Sequence, residues 1–182
     1  MRNAIQVMDA PWHAFSRRIL IIGAGGSGKS TLARRLAERT GLPLIHLDML
    51  YWHPGWVQTS HDEWDRVIAE LTGRDRWITD GNYGRTMPQR LAACDTVIFL
   101  DLPTWLCVWR LFKRLWQYAG RRRPDLAAGC KERLSADFVL WVWQYRRRRR
   151  PEVLERLAAI GTTKQVFILR SPAEVERFAV GH

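Results

Sequence analysis

Cysteine is scarce in this 182-residue chain: Cys94, Cys107 and Cys130 are the three, spaced 13 and 23 residues apart. That spacing fits neither CxxC metal knuckles nor a dense disulfide framework, so reduced thiols in a cytoplasmic protein are expected. Long hydrophobic runs are missing as well. Stretches such as Ile19–Ile22 and Phe138–Trp143 fall far short of the roughly 18 residues that span a bilayer, and residues 1–17 hold no apolar core of a secretory signal. Lysine is nearly absent, four against 25 arginines, and acid is in deficit, 18 Asp+Glu against 29 Lys+Arg for a net charge of +11. Such an excess points to anionic partners, namely nucleotides, phosphorylated metabolites or nucleic acid, and guanidinium forks match phosphate oxygens in pairs. Hydrophobic residues at 47% and charged residues at 26% exclude a disordered chain or a fibre. The length fits a single domain, residues 18–182, preceded by an N-terminal extension over 1–17.

Short apolar runs alternate with helical stretches. Residues 18–23, 44–47, 76–79, 96–100 and 165–169 read as five buried strands, being short, apolar and rich in β-branched or aromatic side chains. Helices are expected near 29–40, 60–72, 87–93, 104–119, 135–149, 151–160 and 172–179, two of them opened by capping boxes, Ser60 with Glu63 and Ser171 with Glu174. The alternation predicts an α/β three-layer sandwich around a five-stranded parallel sheet. Ligands of such sheets bind beyond the carboxyl ends of the strands.

Directly after the first strand stands Gly23-Ala24-Gly25-Gly26-Ser27-Gly28-Lys29-Ser30-Thr31, a complete GxxxxGK[ST] pattern that opens a helix. Glycines there let backbone amides turn inward around phosphate oxygens, and the helix N-terminus adds partial positive charge. Lys29 is placed to bridge the β- and γ-phosphates, and the Ser30 hydroxyl to ligate Mg²⁺. Three aspartates end strands: Asp48, Asp80 and Asp101. Four apolar residues precede Asp101, which favours it as the Mg²⁺-side carboxylate. Asp80 is followed by the polar Gly81-Asn82-Tyr83, which suits a site better than Leu102-Pro103 does. Strand-terminal aspartates also form simple turns and caps, so spacing leaves the choice open.

The loop, the DGNYGRT segment and the downstream arginines together resemble the adenylate-kinase-like P-loop kinases. The motifs GAGGSGKSTLA, HLDMLYWHPGW, WITDGNYGRT, RRRPDLAAGC and ILRS look most like the bacterial DNA topology modulation proteins of that superfamily, a group named for a phenotype rather than a reaction. The resemblance implies that Asp80 holds Mg²⁺ through water and that Arg85 grips an acceptor phosphate. The run here is one residue longer than the usual DGFPRT-like run, which weakens the match at Arg85. It further implies nucleotide-binding arginines at 110 and 114, four apart on one helix face, and an Arg-rich lid over about 120–134 with Arg122 among its cations. The 170–172 loop would surround adenine. Arg146 and Arg150 of the run 146–150 are expected to approach the phosphates.

Asp48 opens the strip Asp48–Trp56, where this superfamily places its acceptor segment, here about 48–75. The matching Asp of shikimate-kinase-like relatives implies that Asp48 orients or deprotonates a substrate hydroxyl, while Trp52 and Trp56 offer faces for a base or sugar. The function expected is that of an ATP- and Mg²⁺-dependent kinase acting on a nucleotide or a small hydroxylated metabolite. Catalysis would rest on Lys29, Asp48, Asp80, Arg114 and Arg122. The alternative is a nucleic-acid-associated ATPase, suggested by the charge and by the Trp- and Arg-rich stretch 141–150, although no helix-turn-helix or zinc-finger pattern stands out. Membrane insertion is not expected.

Overall fold

The computed structural model describes residues 16–117, 129–130, 135–161 and 163–181. In chain order the elements are β1 (Arg18–Gly23), α1 (Lys29–Thr40), β2 (Leu44–His46), α2 (Leu47–Tyr51), β3 (Trp52–His53), β4 (Val57–Gln58), α3 (His61–Thr72), β5 (Trp77–Asp80), a 3-10 turn (Gly84–Thr86), α4 (Met87–Ala93), β6 (Thr96–Leu100), α5 (Thr104–Gln117), α6 (Ala136–Arg148), α7 (Arg150–Ile160), β7 (Gln165–Leu169) and α8 (Pro172–Val180). The expected lid segment lies outside the described residues apart from Gly129 and Cys130, as does the extension up to residue 15.

The five long strands form one parallel sheet in the order β2-β5-β1-β6-β7, with the glycine-loop strand at its centre. Strand alternation splits the core in two. Leu20 and Ile22 of β1 join Val97 and Phe99 under α3, α4, α5, α6 and α7. Ile19 and Ile21 join Ile98 and Leu100 under α1 and α8, through Leu32, Leu36 and Phe178. The two cores are the sandwich's interlayer contacts. Edge strands β2 and β7 are half-buried rather than buried, apart from Leu169, because each has a neighbour on one side only.

Local signals set the helix ends. Ser60, Ser135 and Ser171 each accept a hydrogen bond from the amide three residues on, at α3, α6 and α8. Gly41 ends α1 in the left-handed conformation that glycine adopts without penalty. The sequence reading differs from the structure after β2: Leu47 opens a five-residue helix instead of ending the strand, and the two-residue strands β3 and β4 pair as an antiparallel hairpin. Such short elements carry too few residues to show a period.

Register places the chemistry. Ile21 of β1 sits opposite Asp80 of β5, and Asp80 sits opposite His46 of β2. Asp80 therefore reaches the carboxyl edge beside the strand that feeds the glycine loop.

Candidate functional site

The loop between β1 and α1 is seated on α5 and α6. A Cβ at Gly26 would lie 2.3 Å from the Cys107 carbonyl oxygen, and one at Gly25 would lie 2.8 Å from Phe138 and Val142. No side chain fits at either place, so the backbone itself forms the wall. Gly28, at φ 95°, turns the chain into α1, whose first residue is Lys29. The Lys29 ammonium donates to the carbonyls of Gly23 at 3.0 Å and Ala24 at 2.8 Å. Burial pulls its pKa down, while the carboxylates of Asp80 and Asp48 oppose that shift. The buried Ser27 hydroxyl has no hydrogen-bond partner, and Arg110 donates to the Ser27 carbonyl at 3.2 Å.

Beside the loop, Asp80 is buried with one carboxylate oxygen 2.7 Å from His46 Nδ1. Asn82 then makes a reciprocal pair with the loop's first residue: the Gly23 amide donates to Asn82 Oδ1 at 3.1 Å, and Asn82 Nδ2 donates to the Gly23 carbonyl at 2.8 Å. Arg90 of α4 is fully buried and donates to the carbonyls of Gly81 and Tyr83, both at 2.9 Å, and of Asn82. Burial lowers its pKa to about 10, still well above neutrality, so the guanidinium stays charged and clamps the turn.

Across the cleft, Tyr83 donates to Asp48 Oδ1 at 2.5 Å. Burial first, and the Asp48 charge second, hold the phenol protonated far above its ordinary range. Tyr83 also packs at 4.7 Å on Tyr51 and at 4.9 Å on Trp64, while Trp52 and Trp56 meet edge to face at 5.3 Å on the β3–β4 hairpin. The hairpin is braced from the far side: Gly55 donates to the Gly129 carbonyl at 3.4 Å and Cys130 Sγ to the His53 carbonyl at 3.2 Å.

These parts line one cleft of about 1150 Å³. It holds Gly25, Gly26, Ser27, Gly28, Lys29, Ser30 and Thr31 from the loop, Asp80 beside them, and Asp48, Trp52 and Trp56 opposite. Arg110 and Arg114 line it from α5, and Pro172 closes one side. Gly23 lies at the root of the loop. Other expected residues fall elsewhere. Arg85 does not line the cleft; it pairs with Asp65 of α3 at the surface. Asp101 binds Arg150 through both carboxylate oxygens, at 2.7 and 2.8 Å, which takes both from the cleft. Arg146 is exposed and does not line the cleft either. Arg122 is outside the described residues.

Gln58, Trp109 and Lys113 also line the cleft, and Lys113 stacks over the Trp109 ring at 5.2 Å. Sequence reading did not assign them, nor His46, Asn82, Tyr83 or Arg90. One signal was present for Arg90: it shares a helical face with Met87, Leu91 and Cys94, an arginine amid residues spaced for burial.

A central glycine-loop strand in this strand order, wrapped by helices on both faces, defines the P-loop kinase fold. Solved structures share it. The chain is similar to shikimate kinase from Acinetobacter baumannii in complex with shikimate, at TM-score 0.60 and 20% identity over 91% of this chain and 90% of that one. It is also similar to a sugar kinase from Janibacter sp. HTCC2649 (TM-score 0.49, 20% identity, 91% and 94% covered) and to shikimate kinase from Bacteroides thetaiotaomicron (0.47, 17%, 91% and 95%). No protein-family model matches the chain, and no curated protein matches it. Among the described residues, no helix is long and apolar enough to cross a membrane.

Proposed function

We propose that the protein is an ATP-dependent phosphotransferase that passes the γ-phosphoryl group to a hydroxyl of a small acceptor, a nucleotide or a hydroxylated metabolite. One observation carries the reading: a single cleft joins the Lys29 loop to a wall bearing Asp48, Trp52 and Trp56. On this reading triphosphate sits at the loop, where Gly25 and Gly26 leave no room for a side chain and the buried Ser27 hydroxyl has no hydrogen-bond partner. Ser30 and Asp80 offer the hard oxygen donors that Mg²⁺ prefers, and bound Mg²⁺ would neutralise charge on the phosphates.

The protein's own share is positioning and electrostatics. Lys29 exchanges its carbonyl contacts for phosphate oxygens, Arg110 and Arg114 face the same space, and Pro172 supports the base. Asp48, held by Tyr83, orients the acceptor hydroxyl and takes its proton. The hydroxyl oxygen attacks the γ-phosphorus, the bond to the bridging oxygen breaks, and ADP leaves. Likeness to the DNA topology modulation proteins rests on the shared motifs. A nucleic-acid partner gains nothing from the placement of Arg90, Arg110, Arg114 and Arg150, which are buried, cleft-lining or ion-paired.

The test is acceptor-dependent ADP release across nucleoside monophosphates, nucleosides and sugar acids, with Lys29→Ala as control. A productive acceptor is expected, and the variant loses about 3–4 kcal/mol of transition-state stabilisation, some hundredfold or more in turnover. Turnover stimulated by DNA alone, or near-normal transfer by Lys29→Ala, would overturn the proposal.

A further inference from the structure

Helix α5 has an outer face that the cleft does not use. Trp105, Trp109, Phe112 and Trp116 recur at intervals of four, three and four residues and are all exposed, Trp116 at 84%. Trp109 also lines the cleft; Trp105, Phe112 and Trp116 do not. Leu140 and Trp143 of α6, exposed at 52% and 60%, extend the same apolar surface. Between the helices lies a groove of about 490 Å³ lined by Phe112, Ala136, Val139, Leu140 and Trp143.

We infer that this α5–α6 face is the interface of a symmetric homodimer. Three features select a second copy as the occupant. The four-three-four spacing is that of a seam packed against another helix. The face carries both protruding indoles and a receiving groove, the self-complementarity that a two-fold contact requires. The six exposed side chains together present on the order of 800 Å², given roughly 150–250 Å² per aromatic side chain. That exceeds the roughly 300–600 Å² patch of an ordinary monomer and matches the about 800 Å² that each partner contributes to a standard interface.

Charge separates this occupant from an anionic bilayer. Arg146, Arg147, Arg148 and Arg149 are exposed at the end of α6, at the rim of the face, and α6 contains one acid, Asp137. Two copies bring like charges together, so salt tightens the dimer by screening them. A bilayer held by the same arginines is released by salt.

Sedimentation of the full chain over a concentration series, at low and high salt, tests the inference. A species of twice the 21.3 kDa chain mass is expected, tighter in high salt, with tryptophan emission shifting to the blue as it forms. Trp105→Glu and Trp143→Glu, each at an exposed position, are expected to raise the dissociation constant by at least about tenfold, roughly the 1.4 kcal/mol of one lost contact, without lowering the melting temperature of the dilute monomer. The wild-type series stands even where a variant does not fold. A chain monomeric throughout, or folded variants that dimerise like the wild type, would overturn the inference. So would a monomer that binds phosphatidylcholine–phosphatidylglycerol vesicles at low salt and leaves them at high salt, which would assign the face to a bilayer.

Discussion

The two walls of the cleft are built on different principles. The glycine-loop wall, to which the proposed function assigns phosphate, is a contiguous stretch, residues 23–31, in which Gly25 and Gly26 leave no room for a side chain. The opposite wall is assembled from side chains of three separate segments: Asp48 on α2, Trp52 and Trp56 on the hairpin, and Tyr83 after β5. Under the proposed function, a wall of backbone takes any ligand that presents a triphosphate. A wall of side chains can be retuned one residue at a time and would set the acceptor.

That contrast can be attacked directly. The largest effect expected is at Asp48: Asp48→Asn should cut turnover about 10²–10⁴-fold, the span of a lost general base, while the KM for ATP stays put. Parallel loss of ATP binding would show that the walls are not separate. Next is Arg90→Leu, which leaves the carbonyls of Gly81 and Asn82 without their donor, whereas the Tyr83 carbonyl keeps the Thr86 amide. At about 1–3 kcal/mol for each group left unsatisfied, chemical denaturation should report a loss of at least about 2 kcal/mol. A smaller effect is expected for Asn82→Ala, since Asn82 spans the walls by orienting Gly23 from the β5 turn. The KM for ATP should rise about tenfold, equivalent to about 1.4 kcal/mol or one hydrogen bond, with kcat nearly unchanged. Weakest is Arg85→Ala. Its partner is Asp65 at the surface, so stability should move by no more than about 0.5 kcal/mol and acceptor KM should not change. A large rise in acceptor KM would return Arg85 to the site.

The same contrast explains what was legible in the sequence. The glycine loop reads from one stretch because its function is local: turn, amides, helix start. The five strands read because each is an apolar run between turn signals. Asp80 was separated from Asp101 only by resemblance, and the structure adds a physical reason, since Asp101 is committed to Arg150. The hairpin was illegible because strands of two residues have no alternation to detect. Arg85 lies outside the cleft, paired with Asp65, and spacing along the chain does not reveal that α3 offers that carboxylate. Asn82 lies 59 residues from the carbonyl it holds, a distance no local pattern spans.

The loop's resting contacts carry one more consequence. Each carbonyl now holding the Lys29 ammonium has a second donor: Asn82 Nδ2 on Gly23, and the Ser27 amide, at 3.2 Å, on Ala24. Were the ammonium to move to an anion, as the proposed function requires, neither oxygen would be left bare. Vacating the berth would then forfeit little, since the amine is moored without being trapped and the loop around it need not be dismantled.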